Sequence, residues 1–187
     1  MFRIFSIVLL MFVCTANIYA QEYKDSIQAQ FLRYTESLKN KDYIGSAEYI
    51  NPNLFKIIPK ARLVQAMENA YNNPQLEFDM KEAKIVSIDD SREIKGEHYA
   101  KFRYSNYLVI RYKEQDDEER DVEEEMESFQ STFGEKNVTY DADADSYTVF
   151  VTKEVIANSK DLRRWTFVVL EDRQKPMLEK FIPKELF

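Results

Sequence analysis

The chain has 187 residues, 44% of them hydrophobic, and a formal net charge of -7, enough for one domain with a core of its own. That acidic balance, without a basic stripe, excludes nucleic acid and an anionic membrane surface as expected partners. Three glycines leave no Gly-rich phosphate loop, and one cysteine with one histidine leaves neither a disulfide framework nor a zinc site, so no cofactor or metal is expected.

The first twenty residues stand apart. Met1-Phe2-Arg3 opens with a positive charge, Ile4 to Val13 is apolar apart from Ser6, and Cys14 to Ala20 turns polar and ends on a small residue. A secretory signal peptide has this grammar. Residues 1–20 are expected to be cleaved off between Ala20 and Gln21. Residues 21–187 then form a single exported domain, periplasmic or extracellular, with no membrane attachment. An uncleaved anchor needs about 20 apolar residues, more than this run supplies. Lipid attachment at Cys14 asks for a small residue just before it, where Phe12-Val13 stands. Cleavage removes the only cysteine and, with Arg3, takes the formal charge from -7 to -8.

Ile27, Phe31, Tyr34 and Leu38 recur at offsets of 4, 7 and 11, one face of a helix that Asp25 or Ser26 can cap. A shorter helix carries Ile44, Ala47 and Ile50, and Asn51-Pro52-Asn53 ends it. A third begins at Pro59 and carries Leu63, Met67, Ala70 and Tyr71 as far as Asn72-Asn73-Pro74. The period then changes to two. Leu76, Phe78 and Met80 alternate with Glu77, Asp79 and Lys81, and a phase shift near Ala83 predicts a bulge before Ile88. Asp89 to Gly96 reads as a loop or hairpin end. In the longest strand Ala100, Phe102, Tyr104, Asn106, Leu108, Ile110 and Tyr112 share one face, and the opposite face is expected to be largely wet, as in an antiparallel sheet. An acidic helix with Val122, Met126, Phe129 and Phe133 follows and stops at Gly134. Val138–Asp141 and Tyr147–Ile156 pair around an aspartate-rich turn. Arg164–Leu170 is a last strand, and Pro176 opens a short closing helix.

Helices followed by strands over one sheet resemble the nuclear-transport-factor-2-like superfamily. The stretches Tyr49-Ile50-Asn51-Pro52-Asn53-Leu54-Phe55, Ile58-Pro59-Lys60, Tyr99 to Tyr104, Arg164-Trp165-Thr166-Phe167 and Leu178 to Lys184 look like secreted members typical of Bacteroidetes-type organisms. The resemblance implies an α+β fold in which N-terminal helices pack on a curved antiparallel sheet, the cystatin-like cone. That superfamily hosts isomerases, dehydratases, transport adaptors and binding proteins, so fold does not give function.

Proton-transfer enzymes of that superfamily need an inward base beside a donor. Asp79 points away from the apolar side, the long strand's apolar face carries no acid, and His98 stands at a strand entrance. No catalytic residue is assigned. Asp141, Asp143 and Asp145 have the 1, 3, 5 spacing of a calcium loop, but Ser146 replaces the glycine and Thr152 the bidentate glutamate, so a solvated hairpin tip is expected. Glu114 to Glu127 holds ten carboxylates and one arginine and reads as a solvated helix face. Asn106 is the strongly polar residue on an apolar face, either a satisfied core amide, the favoured reading, or part of a wet pocket. Tyr34, Tyr104, Asn106 and Tyr112 are the candidate ligand-binding residues.

The expected function is an exported non-enzymatic domain binding a small ligand or a protein partner, with a homodimer through the sheet face left open. The alternative is an isomerase- or dehydratase-like enzyme acting by proton transfer in the cone.

Overall fold

The computed structural model describes residues 2–113 and 120–187, with side chains from Gln21 onward. Helix α1 spans Phe2–Lys39. No glycine or proline interrupts the chain before Gly45, so the backbone stays helical through the expected boundary at Asp25 and Ser26. From Tyr23 onward one stripe is buried, with Ile27 and Phe31 fully enclosed. Helix α2, Tyr43–Ala47, is capped by Asp42, whose carboxylate accepts from Gly45 N at 2.8 Å. Ile44, expected on its apolar side, is 66% exposed, and Ile50 leaves the helix to form a parallel bridge with Phe167. Helix α3, Lys60–Tyr71, has Pro59 as its N-cap and buries no residue completely.

Six antiparallel strands follow: β1 Leu76–Ile88, β2 Arg92–Ile94, β3 Glu97–Tyr112, β4 Val138–Asp141, β5 Ser146–Ser159 and β6 Thr166–Leu170. Two long strands, β3 and β5, pair from His98–Ser159 to Ile110–Tyr147 and form the centre. Each outer side is shared by two pieces, β1 and β2 against β3, β4 and β6 against β5. The stretch expected as a loop before Gly96 contains β2, joined to β3 through Lys95 and Gly96, both at positive φ. The phase shift near Ala83 is present as a register shift between Lys81 and Lys84, with Glu82 at φ 52°.

The sheet face bearing Phe102 carries two clusters. Tyr23, Ile27 and Phe31 of α1 pack on Ala100, Phe102, Tyr104, Val155 and Phe167 at one end. At the other end Ile110, Tyr147 and Val149 lie under helix α4, Val122–Phe133, through half-buried Val122, Met126, Phe129 and Phe133. The opposite face is not as wet as its alternation implies. Helix α5, Lys175–Leu178, and the segment to Phe187 lay Leu178, Ile182 and Leu186 over Tyr99, Ile156 and Val168. Only the remainder of that face is open, where Tyr107 and Phe150 stack with ring centroids 5.3 Å apart. The domain is therefore α+β, an antiparallel six-stranded sheet with helices. Among the described residues no helix is long and apolar enough to cross a membrane.

Candidate functional site

Between the two clusters on the Phe102 face lies Asn106. Its register partner on β5 is Val151, and toward β1 it meets the register shift, so no β1 side chain stands squarely opposite it. It is 4% exposed, yet among the described residues its side chain has no hydrogen-bond partner. The other buried amides differ. Asn51 donates to Asn158 at 3.4 Å and accepts from Asn53 N at 2.9 Å, while Asn158 donates to Glu97 at 3.0 Å. Nor is the Asn106 amide sealed off, since the buried side-chain atom that lacks both partner and solvent is Tyr43 Oη. Among the described residues no partner is found for the Asn106 amide, which the reading as a satisfied core amide requires.

Three tyrosines gather beside it. Tyr104 is two residues away on the same strand face, and Tyr34 of α1 and Tyr104 both pack on Phe31, at 5.6 and 4.8 Å between centroids. Tyr71 of α3 reaches the same group and stacks on Tyr43 at 5.6 Å. Burial, then the neighbouring Tyr104 and Tyr71, pushes the Tyr34 hydroxyl well above its ordinary range. Burial followed by Tyr71 and Glu171 pushes Tyr104 up to about 12. Burial and then Tyr43 raises Tyr71. All three stay protonated donors at physiological pH. Their hydroxyls find no partner among the described residues, whereas those of Tyr99, Tyr140 and Tyr147 donate to Glu97, Asp145 and Glu125.

A cavity of about 170 Å³ opens next to this group, lined by Ala70, Tyr71, Phe78 and Leu108. A 150 Å³ apolar cavity holds a benzene ring, so this one takes a group of about that size. Its walls are apolar, with Leu108 next to Asn106 on the strand face and Tyr71 next to Tyr34 and Tyr104.

Three of the four expected site residues, Tyr34, Tyr104 and Asn106, thus come together. Tyr112 does not. Eight residues along β3 from Tyr104, it lies about 26 Å away at the rise of a strand. There it supports the Arg120 guanidinium, 4.3 Å from its ring centroid. Tyr71 and Tyr43 were not marked by the sequence. Tyr71 sits four residues after Met67 on α3 and reads as one more member of an apolar stripe.

The carboxylate that acts on Tyr104 is Glu171, which is 41% exposed and bound by Lys153 at 2.7 Å. The Ser159 hydroxyl donates to Asp161 at 3.1 Å, which is no arrangement for activating a nucleophile with His98. At the aspartate-rich turn Asp141 accepts from Asp143 N and Ala144 N, and Asp145 is held by Tyr140 at 2.8 Å and Arg120 at 2.6 Å. Those oxygens serve the hairpin. The acidic stretch is likewise more than a solvated face, because Glu125 is bound by Arg120 and by the Tyr147 hydroxyl at 2.7 Å. Glu114 to Glu119 lie outside the described residues.

Compared with known proteins, the chain matches no family model, no curated protein and no solved structure.

Proposed function

We propose that the chain is an exported, non-enzymatic binding domain of the nuclear-transport-factor-2-like cone type, and that it takes the apolar end of a small ligand between α3 and the β1–β3 pair. The helices-first order and the single antiparallel sheet under α1 support the cone. The positive start and apolar run of the first twenty residues support export.

One observation carries the binding reading: a buried, unpartnered Asn106 beside an open apolar cavity. At 4% exposure the amide keeps only residual contact with water, and a ligand oxygen or nitrogen offsets a cost of up to about 1–3 kcal/mol. The tyrosine hydroxyls, protonated and unpartnered, favour an acceptor oxygen on a largely apolar molecule.

The neutral dye N-phenyl-1-naphthylamine tests the reading. Its fluorescence is expected to rise saturably with the wild-type chain and not with Ala70→Phe, which fills the cavity from an exposed helix position. Equal uptake by both proteins, or none by either, contradicts the proposal.

A further inference from the structure

A second recess, unrelated to the tyrosine cavity, lies on the flank of α1. About 720 Å³ in volume, it is bounded by α1, by α2 and by the turn between β5 and β6. Its walls carry three arginines, Arg33 from α1 and Arg163 and Arg164 from the turn. We propose that this groove binds a ligand carrying at least two anionic groups, carboxylates or phosphates.

The backbone that presents these arginines is fixed. Gln30 donates to Arg163 O at 2.7 Å and accepts from Trp165 N at 3.0 Å, and Ser26 Oγ donates to Arg163 O at 3.0 Å. Asp161 braces the turn from within by accepting from Arg163 N at 2.9 Å and Arg164 N at 3.0 Å. Its Oδ1 accepts these main-chain donors and the Ser159 hydroxyl, the Arg163 charge adds to their pull on the carboxylate, and Leu162 takes the positive φ of 62° that lets the turn close. Trp165, fully buried, anchors the end of the turn in the core.

The groove contains two carboxylates, and both are engaged. Asp42 caps α2, and Glu48 is bound by Lys60 at 2.5 Å. The Arg164 charge adds weakly to the pull of Lys60 on Glu48, without forming an ion pair. Among the described residues Arg33, Arg163 and Arg164 make no salt bridge, as Arg62, Arg92, Arg103, Arg111 and Arg173 also do not, and what sets the three apart is that they line one recess. Three guanidinia free to bond are thus brought from two segments onto one recess of ligand size. Guanidinium forks match carboxylate and phosphate oxygens in pairs, which is why the ligand is expected to carry more than one such group.

The test is calorimetric titration of the full chain with inorganic pyrophosphate and, separately, with tricarballylate, at about 150 mM salt, where diffuse surface attraction is screened. Saturable binding of at least one probe is expected, and which one binds tells phosphate from carboxylate. Arg33→Gln, Arg163→Gln and Arg164→Gln are each expected to weaken it about tenfold or more, and Lys136→Gln, on the far side of the sheet's helix α4, to leave it unchanged. All four positions are exposed, so their urea midpoints serve as a check that the fold is kept. Absence of saturable binding with both probes, or equal weakening by Lys136→Gln, overturns the proposal.

Discussion

Arg120 grips Glu125 in a fork, Nε to Oε1 at 3.0 Å and Nη2 to Oε2 at 2.7 Å, and the pair ties the start of α4 to the sheet through Asp145, which accepts from Arg120 at 2.6 Å, and Tyr147, whose hydroxyl donates to Glu125 at 2.7 Å. Hydrogen bonds from Arg120 and then Tyr147 hold the Glu125 carboxyl below its ordinary range, and Tyr140 and Arg120 do the same for Asp145. A carboxylate whose folded pKa is lowered stabilises fully above its unfolded value, about 4.3 for glutamate, and loses that contribution as pH falls through the folded value. Wild-type stability is therefore expected to drop between pH 7 and the acid side of the ordinary glutamate value, and Glu125→Gln to show less of that drop while costing about 1.5–3 kcal/mol at pH 7. Urea melts of both proteins at the two ends of that range check it. Equal acid losses would mean the fork is idle.

The C-terminal segment is a structural cover. Leu178 and Ile182 are 1% and 2% exposed and close the Tyr99–Ile156–Val168 end of the sheet. Truncating either to alanine is expected to cost about 2–5 kcal/mol in a urea melt. A loss below about 0.5 kcal/mol for both would show that the segment lies loosely on the sheet.

This cover also marks what the sequence does not reveal. The two-residue alternation of β3 identifies which side chains share a face, and Ile27 and Phe31 are legible as the α1 stripe that covers one of them. That the opposite face is half buried depends on a segment more than sixty residues later, whose Leu178, Ile182 and Leu186 share a helical spacing of four that does not say which surface they cover. Strand β2 has three residues, too few to alternate. Asn106 is legible as a polar residue on an apolar face, but its lack of a partner is not. Tyr71 comes to Tyr34 and Tyr104 only through the packing of α3, and Arg33 comes to Arg163 through the bonds of Ser26 and Gln30 to the turn.

Gly45 is required by its neighbour. A Cβ there would collide with the Asp42 carboxylate that caps α2. Gly45→Ala and Asp42→Ala are each expected to cost about 0.5–2 kcal/mol, the worth of a cap, and the double variant no more than the larger single cost. Additive losses in the thermal melts would show that the glycine acts through something other than the cap.

Export is tested by intact mass. Protein recovered from the producing cell is expected to begin at Gln21, and a chain that retains Met1 would contradict cleavage.

The central claim rests on Asn106, and Asn106→Leu addresses it most directly. A urea melt followed by the fluorescence of Trp165, the single tryptophan, reports the fold, with Phe102→Ala as the core control. Phe102 is 1% exposed, and its truncation is expected to cost about 3–5 kcal/mol. Replacing an amide that has no protein partner by leucine strands nothing, so Asn106→Leu is expected to be neutral or to stabilise by up to about 2 kcal/mol. A loss of 1 kcal/mol or more would contradict the account, because it would mean that the amide is bonded within the core and that the site beside it is filled.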